Sequence, residues 1–429
     1  MGKIICQHWH CYQPSGNDFY TSAINDECYR PNSYNGILNR ISFNMGPTLM
    51  EWFENNDQTT LQKVLEADHG QAMAQPYNHR ILPLTRYDED LKTQIRWGKE
   101  HFRNYFGRSP RVMWLPETAT DVRTCKALSG EDIEYTIGAQ AQAISEGGLV
   151  DTSKAYSIDL GDGDSISYFF YHPRSTSIAF NDEINSNSHP GVRYLENADI
   201  ALEAILEEVG DSSLVLLAYD GETFGHHNPF ADLWAEYFPI AVDKLPSTEM
   251  ITLEEYLDTY GTSAKADLVE NSSWSCTCGD LKRWKGGCTC APSTPEYREE
   301  LLAALETQED KIHDIFFTHG RKKLKDPWEA RDDYIHVLLA QESFENMIRK
   351  HTKNEPTEHD INVLKGLFEA EYFNQLSFTS CGWFFPEVHV QTKKNIDSAH
   401  KAAKRIKDSL GYDVSSSLKD IQWMLDHNH

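Results

Sequence analysis

Leu214-Val-Leu-Leu-Ala-Tyr-Asp-Gly-Glu-Thr-Phe-Gly-His-His227 changes character halfway, from an unbroken apolar run to two carboxylates, two glycines and two histidines. Leu214 to Ala218 are apolar without alternation, the pattern of a strand covered on both faces in a parallel α/β sheet. The polar cluster then falls at the strand's C-terminal end. Loops converge there in barrels and open α/β sheets, and that edge collects the chemistry. Asp220 and Glu222 are therefore the first catalytic candidates. Asp-Gly is also a common turn pair, but a turn alone needs neither Glu222 nor His226.

The same pattern recurs along the first half of the chain. Lys3 to His8 reads as a short strand, and alternation puts His8 and His10 on one face. The polar run from Ser15 to Arg40 has no apolar period and is expected to be a long loop. Ile41 to Phe53 carries helical spacing, with Pro47 opening the helix proper. Ala72 to His79 reads as a strand entering a polar loop. Asp88 to Phe106 is a helix ended by Gly107. Val112 to Glu117 is again an apolar run closed by a carboxylate, and Pro116 stops it from continuing as a central strand. Ala155 to Leu160 and Ile166 to Tyr171 read as two strands joined by a tight turn, and Met250 to Leu253 as a last strand. Repeated strand, loop and helix imply a parallel sheet and, with this many units, an α/β barrel. The first domain is expected over residues 1–260.

A cysteine-rich segment over 261–295 interrupts this order. Cys276-Thr-Cys278 and Cys288-Thr-Cys290 could close a tetrahedral thiolate site for structural zinc or iron, although Cys-x-x-Cys is the more usual spacing. From 296 to 429 the periodicity is helical, through Tyr297–Phe317, Tyr334–Ile348, Ile361–Leu376 and Ile396–Leu410. The cluster from Phe378 to Phe385, with Trp383 inside it, suggests an aromatic lid carried by this helical C-terminal domain.

Composition narrows the function. The chain has 429 residues and a formal net charge of −26, which excludes nucleic acid and anionic membranes as main partners, since both need a basic surface. No stretch approaches the ~20 apolar residues of a membrane span. The first residues lack a signal-peptide pattern, and nine cysteines, an odd number, suit a reducing compartment, so a cytoplasmic location is expected. Ten Trp, 20 Tyr and 19 Phe leave aromatic faces to spare for stacking on sugar rings.

Together His8-x-His10-x-x-Gln13-Pro14, Gln75-Pro-Tyr-Asn-His79, Trp114-Leu-Pro-Glu117 and Asp220-Gly-Glu222-x-x-Gly-His226-His227 resemble glycoside hydrolase family 57. The likeness extends to Ser273-Trp-Ser-Cys276, Asp326-Pro-Trp328 and Phe378 to Phe385, which are similar to a less characterised branch of that family. The resemblance implies an incomplete (β/α)7 barrel followed by an all-helical domain that covers the active site. It implies a retaining mechanism on α-linked oligo- or polysaccharides with no catalytic cofactor, Glu117 being the nucleophile and Asp220 the general acid/base. It places His8, His10, Gln13, His79, Trp114, Glu222, His226 and Trp383 at the sugar. Two residues separate His10 from Gln13 here, where better-studied members have His-Gln-Pro directly, so substrate identity does not transfer. Protonated histidines would hold Glu117 ionised, and a dry or carboxylate-rich setting would raise Asp220. Two other readings fit the residues: a metal-dependent deacetylase or mannosidase using His8, His10 and Asp220, and a non-catalytic glucan-binding protein.

Overall fold

The structure is a computed structural model that describes residues 2–12, 37–180, 190–209, 214–224, 228, 231–290, 297–385, 387–419 and 421. The polar run after Tyr12, with Gln13, lies outside the described residues, as do His226 and His227. The chain divides into two compact units, 1–75 with 105–270 and 76–104 with 271–429.

The strands of the first unit are β1 (Lys3–Cys11), β2 (Ser42–Met45), β3 (Ala72–Met73), β4 (Tyr135–Ala139), β5 (Ala143–Ser145), β6 (Gly148–Leu149), β7 (Ala155–Gly161), β8 (Asp164–Tyr171), β9 (Leu214–Asp220), β10 (Thr248–Met250) and β11 (Ala264–Leu268). Strand β1 is parallel to β9 along its length, to β2 over its second half and to β10 over its first. The sheet passes from β2 to β3, through a parallel bridge from Ala74 to Met113, then from Val112 to Tyr135 at the start of β4, which lies parallel to β8. A hydrogen bond from His172 N–H to the Leu216 carbonyl at 2.7 Å ties the chain after β8 to β9. The staves thus run β9, β1, β2, β3, residues 112–114, β4, β8, an incomplete (β/α)7 barrel whose ladder thins to single bridges at two joints. Residues from Ile4 to Cys11 on β1 and Leu214 to Tyr219 on β9 are buried without alternation, as strands covered on both faces must be. Beside the barrel, β7 and β8 form the expected antiparallel pair, and β11, β5 and β6 extend that sheet.

Three local expectations fail for identifiable reasons. Residues 42–45, read with helical spacing, are strand, because β1 and β3 flank them with ladder bonds; the helix itself starts at Pro47 as expected. The strand expected to reach Leu253 ends at Met250, where Thr252 and Glu255 form a capping box that starts the helix Leu253–Tyr260. The helix expected over Tyr334–Ile348 is broken: Ala340 takes φ +54° and Ser343 caps a new helix, Phe344–His351. The short strands β5, β6 and β11 had no distinct signal in the sequence.

The second unit is built on long helices, Tyr297–Lys323, Glu358–Leu376 and Val390–Leu410, with 88–104 of the helix Asp88–Phe106 packed among them. Trp97, Ile312, Phe316, Leu367, Phe368 and Ile406 share its apolar core. Among the described residues no helix is long and apolar enough to cross a membrane.

Candidate active site

Parallel register sets the first part of the site. His8 lies opposite Ala218 and His10 opposite Asp220 across β1 and β9, so both histidines and the carboxylate reach the same end of the sheet. On the other side His10 lies opposite Asn44 of β2. His8 Nε2 is 3.0 Å from Asn44 Oδ1, and Asn44 Nδ2 is 3.0 Å from His10 Nδ1 and 2.6 Å from Gln75 Oε1. With the amide assigned this way, His8 carries its proton on Nε2 and Asn44 donates to both His10 and Gln75. Both rings stack on Trp114, at centroid distances of 4.7 and 5.1 Å.

Burial pushes His8 down to about 3 and His10 down to about 4, against the opposing effect of Asn44, so both rings are neutral at neutral pH. This corrects the expectation that protonated histidines hold Glu117 ionised. Their role is that of oriented neutral donors and acceptors. Among the described residues His8 Nδ1 has no hydrogen-bond partner.

Glu117 is presented on a one-turn 3₁₀ segment, Pro116–Thr118, after the buried run that ends in Trp114. Its φ is +57°, and Thr118 follows at +49°. Two consecutive non-glycine residues in the left-handed region cost roughly 1–2 kcal/mol each, and for β-branched Thr118 the conformation is a genuine outlier. Gln142 offsets that cost. Its Oε1 accepts from Thr118 Oγ1 at 2.7 Å and from the Ala139 amide at 2.8 Å, while its Nε2 donates to the Thr118 carbonyl at 2.8 Å. A strained turn held by a buried clamp places the carboxylate by design of the local fold.

Asp220 ends β9 and keeps some exposed surface. Loss of hydration, then the neighbouring carboxylates of Glu222 and Glu117, lift its carboxyl well above the usual carboxylate range. The charges of Glu222 and Glu117 thus act on Asp220, and the three acids form one electrostatic group. Gly221 lets the chain turn there: a Cβ at this position would lie 2.5 Å from Cys11 Sγ. Tyr171, at the end of β8, is close enough for the Asp220 charge to add to burial in raising its phenol.

The structure thus gathers His8, His10, Trp114, Glu117, Asp220 and Glu222 within the first unit. His79 and Trp383 belong to the second, where they share one anchored turn. Ser380 N–H donates to the His79 carbonyl at 3.0 Å, His79 Nδ1 is 2.6 Å from Ser380 Oγ, and Trp383 N–H donates to Ser380 O at 2.9 Å. Asn44 and Gln142 were missed in the sequence, and Gln75 was noted in a motif without a role. Asn44 carried no signal while its segment was read as helix, whereas strand register would have placed it beside His10.

Among the described residues, the side chains close enough to share a metal ion are the four cysteines and the trio Asp90, His313 and Glu371. Among the described residues, His8, His10 and Asp220 do not form such a group.

The sequence profile of glycosyl hydrolase family 57 matches residues 7–268, and that of a domain of unknown function (DUF3536) matches residues 294–422. Alpha-amylase 1 of Dictyoglomus thermophilum is 25% identical over 325 residues, 70% of this chain and 42% of that protein, so the chain spans less than half the length of this relative. Among solved structures, an exo-type maltose-forming amylase from Pyrococcus sp. ST04 superposes with a TM-score of 0.73 at 16% identity, over 98% of this chain and 82% of that one. A branching enzyme from Pyrococcus horikoshii does so with a TM-score of 0.68 at 16% identity, over 100% and 95%. With the barrel, the strained Glu117 turn and the Asp220 group in place, the profile match over most of the chain shows that this protein belongs to glycosyl hydrolase family 57.

Proposed function

We propose that the protein is a retaining glycoside hydrolase or transglycosylase acting on α-linked glucans or related oligosaccharides by double displacement. The observation that carries this reading is the carboxyl of Asp220, raised above the usual carboxylate range by lost hydration and by Glu222 and Glu117, beside a second carboxylate fixed on a strained turn. A retaining glycosidase needs one protonated acid at the leaving oxygen and one ionised carboxylate at the anomeric carbon. In the first step Asp220 gives its proton to the departing oxygen while Glu117 forms the bond to the anomeric carbon. In the second, Asp220 takes a proton from water or from a sugar hydroxyl, whose oxygen displaces Glu117. Two inversions leave the configuration unchanged.

His8 and His10, neutral and aligned by Asn44, would hydrogen-bond sugar hydroxyls, with His8 Nδ1 as an acceptor. Trp114 would act through the rings stacked on it, and Glu222 would tune Asp220. Gln13, His79, His226 and Trp383 enter the proposal through the family resemblance alone.

The reading is tested by incubating the protein with a panel of α-glucans and α-linked oligosaccharides and following product length, branching and anomeric configuration. Asp220→Asn is expected to lower turnover by roughly 10²- to 10⁴-fold, the range of a general acid. Glu117→Gln is expected to abolish it. Full turnover in both variants would remove the assignment, and tight glucan binding without turnover on any linkage would favour a non-catalytic binding protein instead.

A further inference from the structure

We propose that Cys276, Cys278, Cys288 and Cys290 hold one thiophilic metal ion, zinc or iron, in a tetrahedral tetrathiolate site that fastens residues 271–290 against the turn carrying Trp383. The four sulfurs lie within 4.8 Å of one another. Cys276 and Cys288 are 3.9 Å apart, Cys278 and Cys288 3.8 Å, and Cys276 and Cys290 4.0 Å. A tetrahedron with metal–sulfur bonds of ~2.3 Å has sulfur–sulfur edges of about 3.8 Å, so these separations are those of ligands around one centre. None of the measured pairs is at the ~2.05 Å of a disulfide, and Cys288 and Cys290, the closest, are 3.0 Å apart.

The surroundings suit bound thiolates. The backbone amides of Thr289 and Cys290 both donate to Cys278 Sγ at 3.2 Å, and the Arg283 amide donates to Cys276. Such outer donors fix the ligands and share their charge. The trio Asp90, His313 and Glu371 shows the contrast. Between Asp90 and Glu371 the Arg331 guanidinium already sits at 2.6 and 2.8 Å, so a cation of the chain itself bridges these carboxylates.

The local chain also needs fastening. Gly279, Asp280 and Leu281 are left-handed in succession, with φ of +72°, +52° and +51°. Regular structure between 271 and 290 is limited to the single turn Lys282–Lys285, and its buried apolar side chains are Leu281 and Trp284 beside Cys276 and Cys288. A segment with so small a core gains its order from a cross-link. What it supports is visible in the contacts of Arg283 and Arg298. The Arg283 guanidinium lies 5.0 Å over the Phe384 ring. Buried Arg298 donates to the Arg283 carbonyl at 2.8 Å and to the carbonyls of Phe384 and Phe385, so the cysteine segment and the Cys381–Phe384 turn share one arginine.

The test uses the full chain, purified in reducing, chelator-free buffer and analysed for metal content against protein concentration. One metal per chain is expected. Cobalt substitution giving the visible bands of a tetrahedral thiolate complex identifies the zinc arm, and the colour of the isolated protein the iron arm. Cys290→Ser, at an exposed position where folding is checked by circular dichroism, is expected to lose the metal, while Cys290→His, still able to ligate, is expected to keep it. Metal removal is expected to accelerate hydrogen exchange at 282–285 and 381–385 and to leave 214–220 unchanged. Metal-free protein with four freely reactive thiols would overturn the site, as would a Cys290→Ser protein with its metal intact. Unchanged exchange at 381–385 would overturn the fastening role. None of these measurements uses glycoside turnover, so their failure is separate from failure of the proposed function.

Discussion

Asp220 shows how one residue can cost stability and, in the proposed mechanism, supply the acid. Its carboxyl is raised in the folded state above the ~3.9 of an unfolded aspartate. The folded chain therefore binds this proton more tightly than the unfolded chain, and stability falls as pH rises through the folded value. Asp220→Asn removes that penalty, so the variant should have a higher Tm at neutral pH as well as its loss of turnover; a lower Tm would count against the electrostatic reading. Glu222 is the first neighbouring charge to raise Asp220, after burial. With Glu222→Gln the alkaline limb of kcat/KM, where Asp220 loses its proton, should move to lower pH, and an unmoved limb would separate Glu222 from the acid. Gln142 touches the Glu117 turn through Thr118. Gln142→Ala should lower kcat on the order of 10²-fold by misplacing the carboxylate, with KM nearly unchanged; a rise in KM alone would make Gln142 a binding residue. At this scale the sequence was informative about carboxylates and histidines, whose chemistry is in the side chain. It was silent on Asn44 and Gln142, whose roles come from the backbone that brings them there.

At the scale of elements, the strands that end in chemistry were the most legible, since unbroken apolar runs such as Leu214–Ala218 stop abruptly at polar residues. The helix Asp88–Phe106 was equally plain as a helix, yet its polar buried face was not. That face enters an ionic network: Arg331 bridges Asp90 and Glu371, His313 Nε2 lies 3.0 Å from both Asp90 oxygens, and Arg80 pairs with Glu309 at 2.9 Å. Heptad-like spacing does not encode which buried charges will meet across helices far apart in sequence. Removing one partner leaves the others buried and unpaired, so Arg331→Met should cost roughly 3–5 kcal/mol in urea unfolding. Burial works against a charged His313, but Glu371 and Asp90 outweigh it and hold the ring up at about 9. A raised histidine contributes stability that is full below its unfolded value near ~6.5 and lost as pH rises through about 9. Glu309, raised to about 7 by burial, weakens the fold in the same direction. The urea midpoint should therefore fall across that window, and His313→Gln should flatten the fall; an identical slope in the variant would show that His313 does not carry it.

For the whole molecule, the repeated strand and helix order announced an α/β barrel, and the four motifs announced the family. The assignment of residues 76–104 to the same compact unit as 271–429 was not legible, because it depends on the long-range packing of Trp97 and Tyr77 with helices more than two hundred residues later. Covalent continuity is all that periodicity can read. What joins these levels is the claim that Glu117 becomes bonded to the sugar while Asp220 handles the proton. The direct measurement is trapping with an α-glycoside whose leaving group departs without protonation, such as a glycosyl fluoride, followed by intact mass and peptide mapping. The account predicts a single glycosyl adduct on Glu117, accumulating in Asp220→Asn and absent in Glu117→Gln, with products of retained configuration. Turnover giving inverted products, or an adduct on any other residue, would contradict it.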